Sequence, residues 1–479
     1  MKYDYDVVII GVGSAGMVAA EVATNMGVRT AMAERARIGG DCLWTGCVPS
    51  KTLLASAKAA HTVRNAAAYG IDVGDFSVDT KRVWSRIGRV QDEIAATDDN
   101  ADRFREMGVD VLDGEAAFVA EHRVRVGDRE VSTKFALVCT GSRPFAPAID
   151  GLEEAGFLTS ENLFELSGAP ESLIVLGGGP IGIEMAQGMN RLGVKTVVLE
   201  AMDGILARDE PSLTAILADT LRSEGVEVCV NAKIGRVESR GDRKIVSGEV
   251  DGEERTWEAS EILVAAGRRA NIDSLNLDAV GVKTGRKGIR VNARLRTSAD
   301  WVYAAGDCAG RFRFTHSAAA EAATALRNMF YPGSSTAPTL VPWTTFTDPE
   351  LAHVGISQQE AQRKFGRKSV KTFEFDLAHS DRGRAEGATS GKMVLVTDSK
   401  LKILGAHILA PSAGEMISQF TLAITEGVRL TPGLSTTNIM QVYPTYSTAV
   451  TQLAGDAVYE QLKSPVLRAA RRLNQLIFE

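Results

Sequence analysis

At 479 residues the chain exceeds what one hydrophobic core ordinarily organises and implies about three domains. Charge is mixed, 54 Lys and Arg against 60 Asp and Glu for a net of −6, which excludes nucleic acid as a partner, since phosphate binding rests on clustered basic residues. A hydrophobic content of 44 % excludes disorder, and no stretch approaches the roughly 20 apolar residues of a membrane span.

The first elements read strand, glycine turn, helix, strand. Asp6 to Ile10 is a strand; its run Val7-Val8-Ile9-Ile10 is too short for a secretory leader and leads directly into glycines. Gly11-Val12-Gly13-Ser14-Ala15-Gly16 is the turn, Met17 to Met26 the helix, and Arg29 to Ala33 the second strand. Glu34 follows, 18 residues after Gly16. Gly11, Gly13 and Gly16 allow a tight turn, close approach to a pyrophosphate and close helix–strand packing, while Glu34 can accept hydrogen bonds from ribose. The helix N-terminus offers unpaired N–H groups to the phosphates.

Gly39 to Lys51 carries Cys42 and Cys47, five positions apart and close behind this unit. A zinc site would want about four ligands, and Cys139, Cys229 and Cys308 are isolated, so the pair reads as a redox dithiol with no metal. Five cysteines and no secretion signal place the chain in a reducing cytoplasm, where a disulfide is catalytic rather than structural.

The dinucleotide unit then recurs: strand Ser172 to Leu176, turn Gly177-Gly178-Gly179-Pro180-Ile181-Gly182, helix Ile183 to Arg191, strand Thr196 to Leu199, and Glu200, again 18 residues after the last glycine. Two such units, built on Gly11, Gly13, Gly16 and on Gly177, Gly179, Gly182, imply two dinucleotides, a flavin and a nicotinamide. A carboxylate at Glu200 accepts from a 2′-hydroxyl and repels a 2′-phosphate; the basic Arg208 is eight positions on, so NAD(H) is preferred and NADP(H) disfavoured. Phe135 to Cys139 leads into Thr140-Gly141, and Ile262 to Ala265 into Ala266-Gly267; both read as return strands reaching the dinucleotide sites. Trp301 to Asp307 ends a further strand in a carboxylate suited to a polyol or ribose. Pro332 to Ser335 reads as a linker. Beyond it, strands such as Met393 to Val396 and Ile403 to Leu409 alternate with helices such as Glu415 to Glu426. A basic helix, Pro465 to Phe478, closes the chain.

Together these features resemble the pyridine nucleotide-disulfide oxidoreductases, the family of dihydrolipoamide dehydrogenase and mercuric reductase. Gly39 to Lys51 matches the family signature Gly-Gly-x-Cys-x4-Cys-x-Pro-x-Lys, Thr297 to Asp307 its second FAD motif, and Thr347 to Gly355 and Leu404 to His407 its interface domain. The resemblance implies an α/β fold: two Rossmann-like dinucleotide-binding domains plus a carboxy-terminal α+β dimerisation domain. The expected boundaries are 1–150 for the first part of the FAD-binding domain, 151–270 for the NAD-binding domain, 271–338 for the central part and 339–479 for the interface domain. It implies FAD held at Asp307, Cys47 as the thiol nearer the flavin, Cys42 as the interchange thiol, Lys51 beside the flavin, and Glu184 as the ion-pair partner of Lys51. His316 and His353 match family positions, His316 among those that bind cofactor. A homodimer is implied, each site walled by the other subunit.

The chain departs from the family at the His-Pro-Thr-x-Ser-Glu run, whose His and Glu form an acid–base dyad. Here Val442-Tyr443-Pro444-Thr445-Tyr446-Ser447-Thr448 puts Tyr443 for the His and Thr448 for the Glu. Neither side chain shuttles protons near neutrality. None of the six histidines lies in this run; His379 is the alternative base. No cysteine follows Cys308, so the carboxy-terminal pair of mercuric reductase is missing and that activity is disfavoured. The sequence is therefore read as an FAD-dependent NAD(P)H oxidoreductase delivering electrons to a small-molecule acceptor such as a quinone or metal. A disulfide reductase with a non-histidine proton donor, Tyr443 in particular, and an NADH-sensing flavoprotein are the alternatives.

Overall fold

Strand Tyr5–Ile10 is buried along nearly its whole length because it is central, flanked in parallel by Thr30–Glu34 and by Arg129–Val138. The register sets Val7 beside Thr30 and Ile9 beside Leu137. Asp110–Asp113 extends the sheet beyond Thr30–Glu34, and Val302–Ala304 pairs in parallel with Arg129–Val138. This computed structural model describes residues 2–430, 441–463 and 465–478, so the expected interface segment is described except for 431–440, 464 and 479.

The first helix, Ser14–Asn25, starts before the expected Met17. The reason is steric: Gly16 lies inside the first helical turn, where a Cβ would collide with the Gly11 carbonyl oxygen. Arg129–Val138 likewise begins ahead of the expected Phe135, because its first half pairs antiparallel with Arg123–Val126.

The second dinucleotide unit repeats the arrangement. Ser172–Leu176 lies between Lys195–Leu199 and Glu261–Val264, all parallel, and helix Pro180–Arg191 starts on a proline that needs no backbone donor there. An antiparallel meander, Ala232–Arg240, Arg243–Val250 and Glu253–Ala259, separates its strands in sequence.

The chain divides into two compact units, one of residues Met1–Leu199 with Ala232–Thr339, the other of Glu200–Asn231 with Leu340–Glu479. The second holds an antiparallel sheet ordered Trp343–Thr345, Glu350–Gly355, Ile403–Ala410, Lys392–Asp398, Val370–Asp376. Alternate residues of these strands, Ala352, Val354, Ala406 and Ile408, pack into one core with Phe420 of helix Ala413–Thr425. The other alternates include the cross-strand pair His353 and His407, whose Nδ1 atoms stand 3.0 Å apart. Trp343 stacks on His353 at 3.7 Å and donates its indole N–H to Asp209 at 2.8 Å. Burial depresses His353 to about 2 and His407 to about 4, and raises Asp209 to about 6. Among the described residues no helix is long and apolar enough to cross a membrane.

Candidate functional site

The two glycine turns share one construction. The first glycine of each, Gly11 and Gly177, has positive φ, +93° and +116°, and a Cβ there would press on a backbone carbonyl. Gly16 and Gly182 pack against the carbonyls of Gly11 and Gly177. The middle glycines differ from these. A Cβ at Gly13 would meet only the Gly40 Cα, at 3.8 Å, and one at Gly179 nothing within 4 Å. Gly13 and Gly179 are also the N-caps of their helices, and no side chain caps either. Each helix thus presents uncapped N–H groups beside an open backbone face, which fits the pyrophosphate of a dinucleotide.

Glu34 closes its strand with Oε2 accepting from the Val12 N–H at 2.7 Å and Oε1 from the N–H groups of Arg35 and Ala36 at 2.9 Å. Glu200 directly follows strand Lys195–Leu199, and its Oε1 accepts from the Met202 N–H at 2.8 Å. Gly141 and Gly267 adopt φ of +69° and +138°, each just ahead of one strand of the antiparallel ribbon formed by Ser142–Pro144 and Arg268–Ala270. Asp307 follows strand Val302–Ala304 and accepts from Ser142 Oγ at 2.5 Å. Burial raises its carboxyl above the usual range, opposed by Ser142 and Arg268.

The redox run breaks in two. Cys42 sits in a short helix, Gly40–Trp44, and Cys47 is the first residue of helix Cys47–Arg64. Buried Gln91 holds the first segment by donating to the carbonyls of Leu43 and Trp44 at 3.0 and 2.8 Å. Gly40 lies directly on Gly13; a Cβ on Gly40 would stand 2.8 Å from the Gly13 Cα. The dithiol is thereby set against the first glycine turn.

Both cysteines are thiols here. A hydrogen bond from Cys42 lowers Cys47 to about 6; burial opposes the shift, while Thr315, whose Oγ1 is 3.4 Å from Cys47 Sγ, and Lys51 assist it. Cys42 is pushed up, first by its hydrogen bond to Cys47 and then by burial. The asymmetry makes Cys47 the thiolate and Cys42 the proton holder. Lys51, one turn along the helix, reaches Glu184 Oε2 at 2.8 Å, and Glu184 is buried in helix Pro180–Arg191. An ammonium is thus tethered one turn from the thiolate. His316 is exposed in the first turn of helix Thr315–Phe330, its ring stacked on Phe314 at 5.4 Å.

In the second unit Tyr443 is 70 % exposed and donates to Asp381 Oδ2 at 2.9 Å. Thr448 donates to the Thr445 carbonyl at 2.6 Å, and Tyr446 to Glu386 at 2.6 Å. His379 is exposed in the turn Leu377–His379. Sequence reasoning missed Thr315, Asp381, Asp41 and Arg268. Only Asp41 carried a usable signal, as a carboxylate beside a redox thiol that calls for a counter-charge.

Residues 5–322 match the family described as pyridine nucleotide-disulphide oxidoreductase, and residues 341–454 match its dimerisation domain. A mercuric reductase from Bacillus cereus is 35 % identical over 431 residues, 89 % of this chain and 68 % of that protein. A dihydrolipoyl dehydrogenase from Chlorobaculum tepidum is 34 % identical over 469 residues, 95 % of this chain and 97 % of that protein. Among solved structures, the Cu(II) complex of the HOCl-induced flavoprotein disulfide reductase RclA from Escherichia coli aligns with a TM-score of 0.82 at 26 % identity, covering 95 % of this chain and 99 % of that one.

Proposed function

The chain belongs to the pyridine nucleotide-disulphide oxidoreductase family and is an FAD-dependent enzyme that uses NAD(P)H; from that premise we propose that it takes electrons from NADH and passes them by way of the Cys42–Cys47 pair to a metal ion or quinone rather than to a disulfide. The observation that carries the choice of acceptor is the engagement of Tyr443 by Asp381 and of Thr448 by the Thr445 carbonyl. Opening a disulfide substrate releases a thiolate that must be protonated as it leaves. A phenol held by a carboxylate gives up its proton poorly, and a threonine hydroxyl has no useful acidity. A metal ion takes electrons without a proton, and a quinone, which gains two protons with its two electrons, has no leaving thiolate and can take them from water. The mercuric reductase relative and the Cu(II)-bound neighbour favour the metal ion of the two.

Gly11, Gly13, Gly16, Glu34, Gly141, Asp307 and His316 form the flavin side of the site in this reading, and Gly177, Gly179, Gly182, Glu200 and Gly267 the nicotinamide side. Bound FAD supplies the two-electron relay between nicotinamide and dithiol. Cys47 holds the thiolate, Cys42 the exchangeable thiol, and Lys51, held by Glu184, the balancing positive charge. The protein works as a cytoplasmic homodimer in which Tyr443 faces the partner's Cys42. The test is anaerobic reduction with NADH, followed by mixing with Hg(II), Cu(II), a quinone, lipoamide and glutathione disulfide while flavin reoxidation is recorded. Reoxidation by lipoamide or glutathione disulfide as fast as by the metals and quinone overturns the reading.

A further inference from the structure

Arg268 is a closely engaged guanidinium near the dithiol. Its side chain is 13 % exposed. Its Nη2 donates to Asp41 Oδ1 at 3.0 Å and to the Ser142 carbonyl at 2.8 Å, and its Nε donates to Ser142 Oγ at 2.8 Å. Its Nη1 lies 3.5 Å from Ser160 Oγ, and its Nε 4.0 Å from Asp307 Oδ2. Backbone and neighbours fix this fork, which matches what a planar guanidinium does and an ammonium does not.

Asp41 immediately precedes Cys42 and reaches along the turn that leads to Cys47. Its Oδ1 accepts from Thr45 Oγ1 at 2.6 Å, and its Oδ2 would lie 3.0 Å from a Cβ at Gly46, the residue before Cys47. An uncompensated carboxylate here opposes a thiolate on Cys47 by like-charge repulsion. The other groups that face Cys47 are Cys42 from the same short helix as Asp41, Lys51 from its own helix with Glu184 behind it, and the uncharged Thr315.

We propose that Arg268 is a positioning residue for the dithiol: its guanidinium clamps and neutralises Asp41, so that the segment carrying Cys42 is held while Cys47 is spared a bare carboxylate at its side. The same group reaches Asp307, so one arginine links the segment bearing the interchange thiol to the carboxylate expected to hold the flavin's polyol. This deepens the proposed function and rests on Cys47 being its thiolate.

The experiment measures alkylation of the reduced holoenzyme by iodoacetamide against pH, in a Cys42→Ser background, with peptide mapping of Cys47. Arg268→Gln raises the midpoint of the rate profile by about one pH unit, and adding Asp41→Asn brings it back. Asp41→Asn alone, with Arg268 intact, lowers the midpoint, a readout that stands even where Arg268→Gln fails to fold. No shift in Arg268→Gln, a shift that Asp41→Asn does not reverse, or no change in Asp41→Asn alone each overturns the assignment. Total label incorporated, recorded alongside in a Cys47→Ser control, separates the two readings. If modification persists at the same rate without Cys47, the dithiol reading itself is wrong; if it vanishes while Arg268→Gln is silent, only the arginine's role falls.

Discussion

Tyr443 and Asp381 form a hydrogen bond of 2.9 Å between the position that the family resemblance assigns to an acid–base histidine and a residue 62 positions upstream. The carboxylate raises the phenol above its ordinary value near 10, so the hydroxyl stays protonated at neutral pH and acts as a donor, not a base. Thr448 meanwhile turns to its own loop. The pair Tyr443→His with Thr448→Glu should therefore raise lipoamide turnover by about 10²-fold while changing quinone turnover less than threefold. Rapid lipoamide turnover by the native protein, with a pH profile governed by a group near 6–7, contradicts this expectation.

The division of labour within the dithiol has an optical signature. Two-electron reduction at pH 7, above the Cys47 value of about 6, should give a long-wavelength absorption from thiolate to flavin. Cys47→Ser removes it. Cys42→Ser makes it permanent in the oxidised enzyme, with a midpoint moved upward because the hydrogen bond from Cys42 is the largest contributor to the lowering. A Cys42→Ser protein without the band at any pH reverses the two roles.

Glu200 directly follows its strand, and in the proposed reading its carboxylate selects a ribose hydroxyl over a phosphate. Stopped-flow reduction should be at least tenfold faster with NADH than with NADPH at equal, subsaturating concentration. Glu200→Ala should narrow the ratio by removing repulsion. A native preference for NADPH shows that this carboxylate is not at the ribose.

The buried stack of the second unit carries a pH dependence whose sign follows from proton counting. His353 and His407 have folded values depressed to about 2 and 4, so below about 6.5 the unfolded chain binds more protons and stability falls with falling pH. Asp209, raised to about 6, runs the other way: between its ordinary value and about 6 the folded state binds the extra proton, so acid there favours folding. Two imidazoles outweigh one carboxyl. Thermal unfolding followed from pH 7.5 to 4.5 should show a falling midpoint below pH 6.5, with a shallower slope in His353→Gln. Parallel slopes for the two proteins would mean that other groups dominate acid unfolding.

What could be read from the sequence follows from how far apart the cooperating residues lie. The glycine turns, the cysteine pair and the acidic residue closing each second strand are local, because a turn, a helix start and a ribose contact need residues at fixed short spacing. Lys51 and Glu184 were paired only through family resemblance, since 133 positions separate them. Asp381 with Tyr443, and Arg268 with Asp41 across 227 positions, depend on loops that no periodicity describes. The early start of helix Ser14–Asn25 escaped for another reason: the last glycine reads as a breaker in sequence, yet inside the helix it is the one residue that fits under a neighbouring carbonyl.

The contact of Gly40 with Gly13 has one further consequence. Two main chains meet there with no side chain between them, so neither can be trimmed or enlarged to compensate for a change in the other. Adding a methyl group at Gly40 drives it into the Gly13 Cα and displaces the first glycine turn and the Cys42 segment together. At this contact the first glycine turn and the Cys42 segment are therefore bound to the same backbone spacing, and a change in one is felt directly by the other.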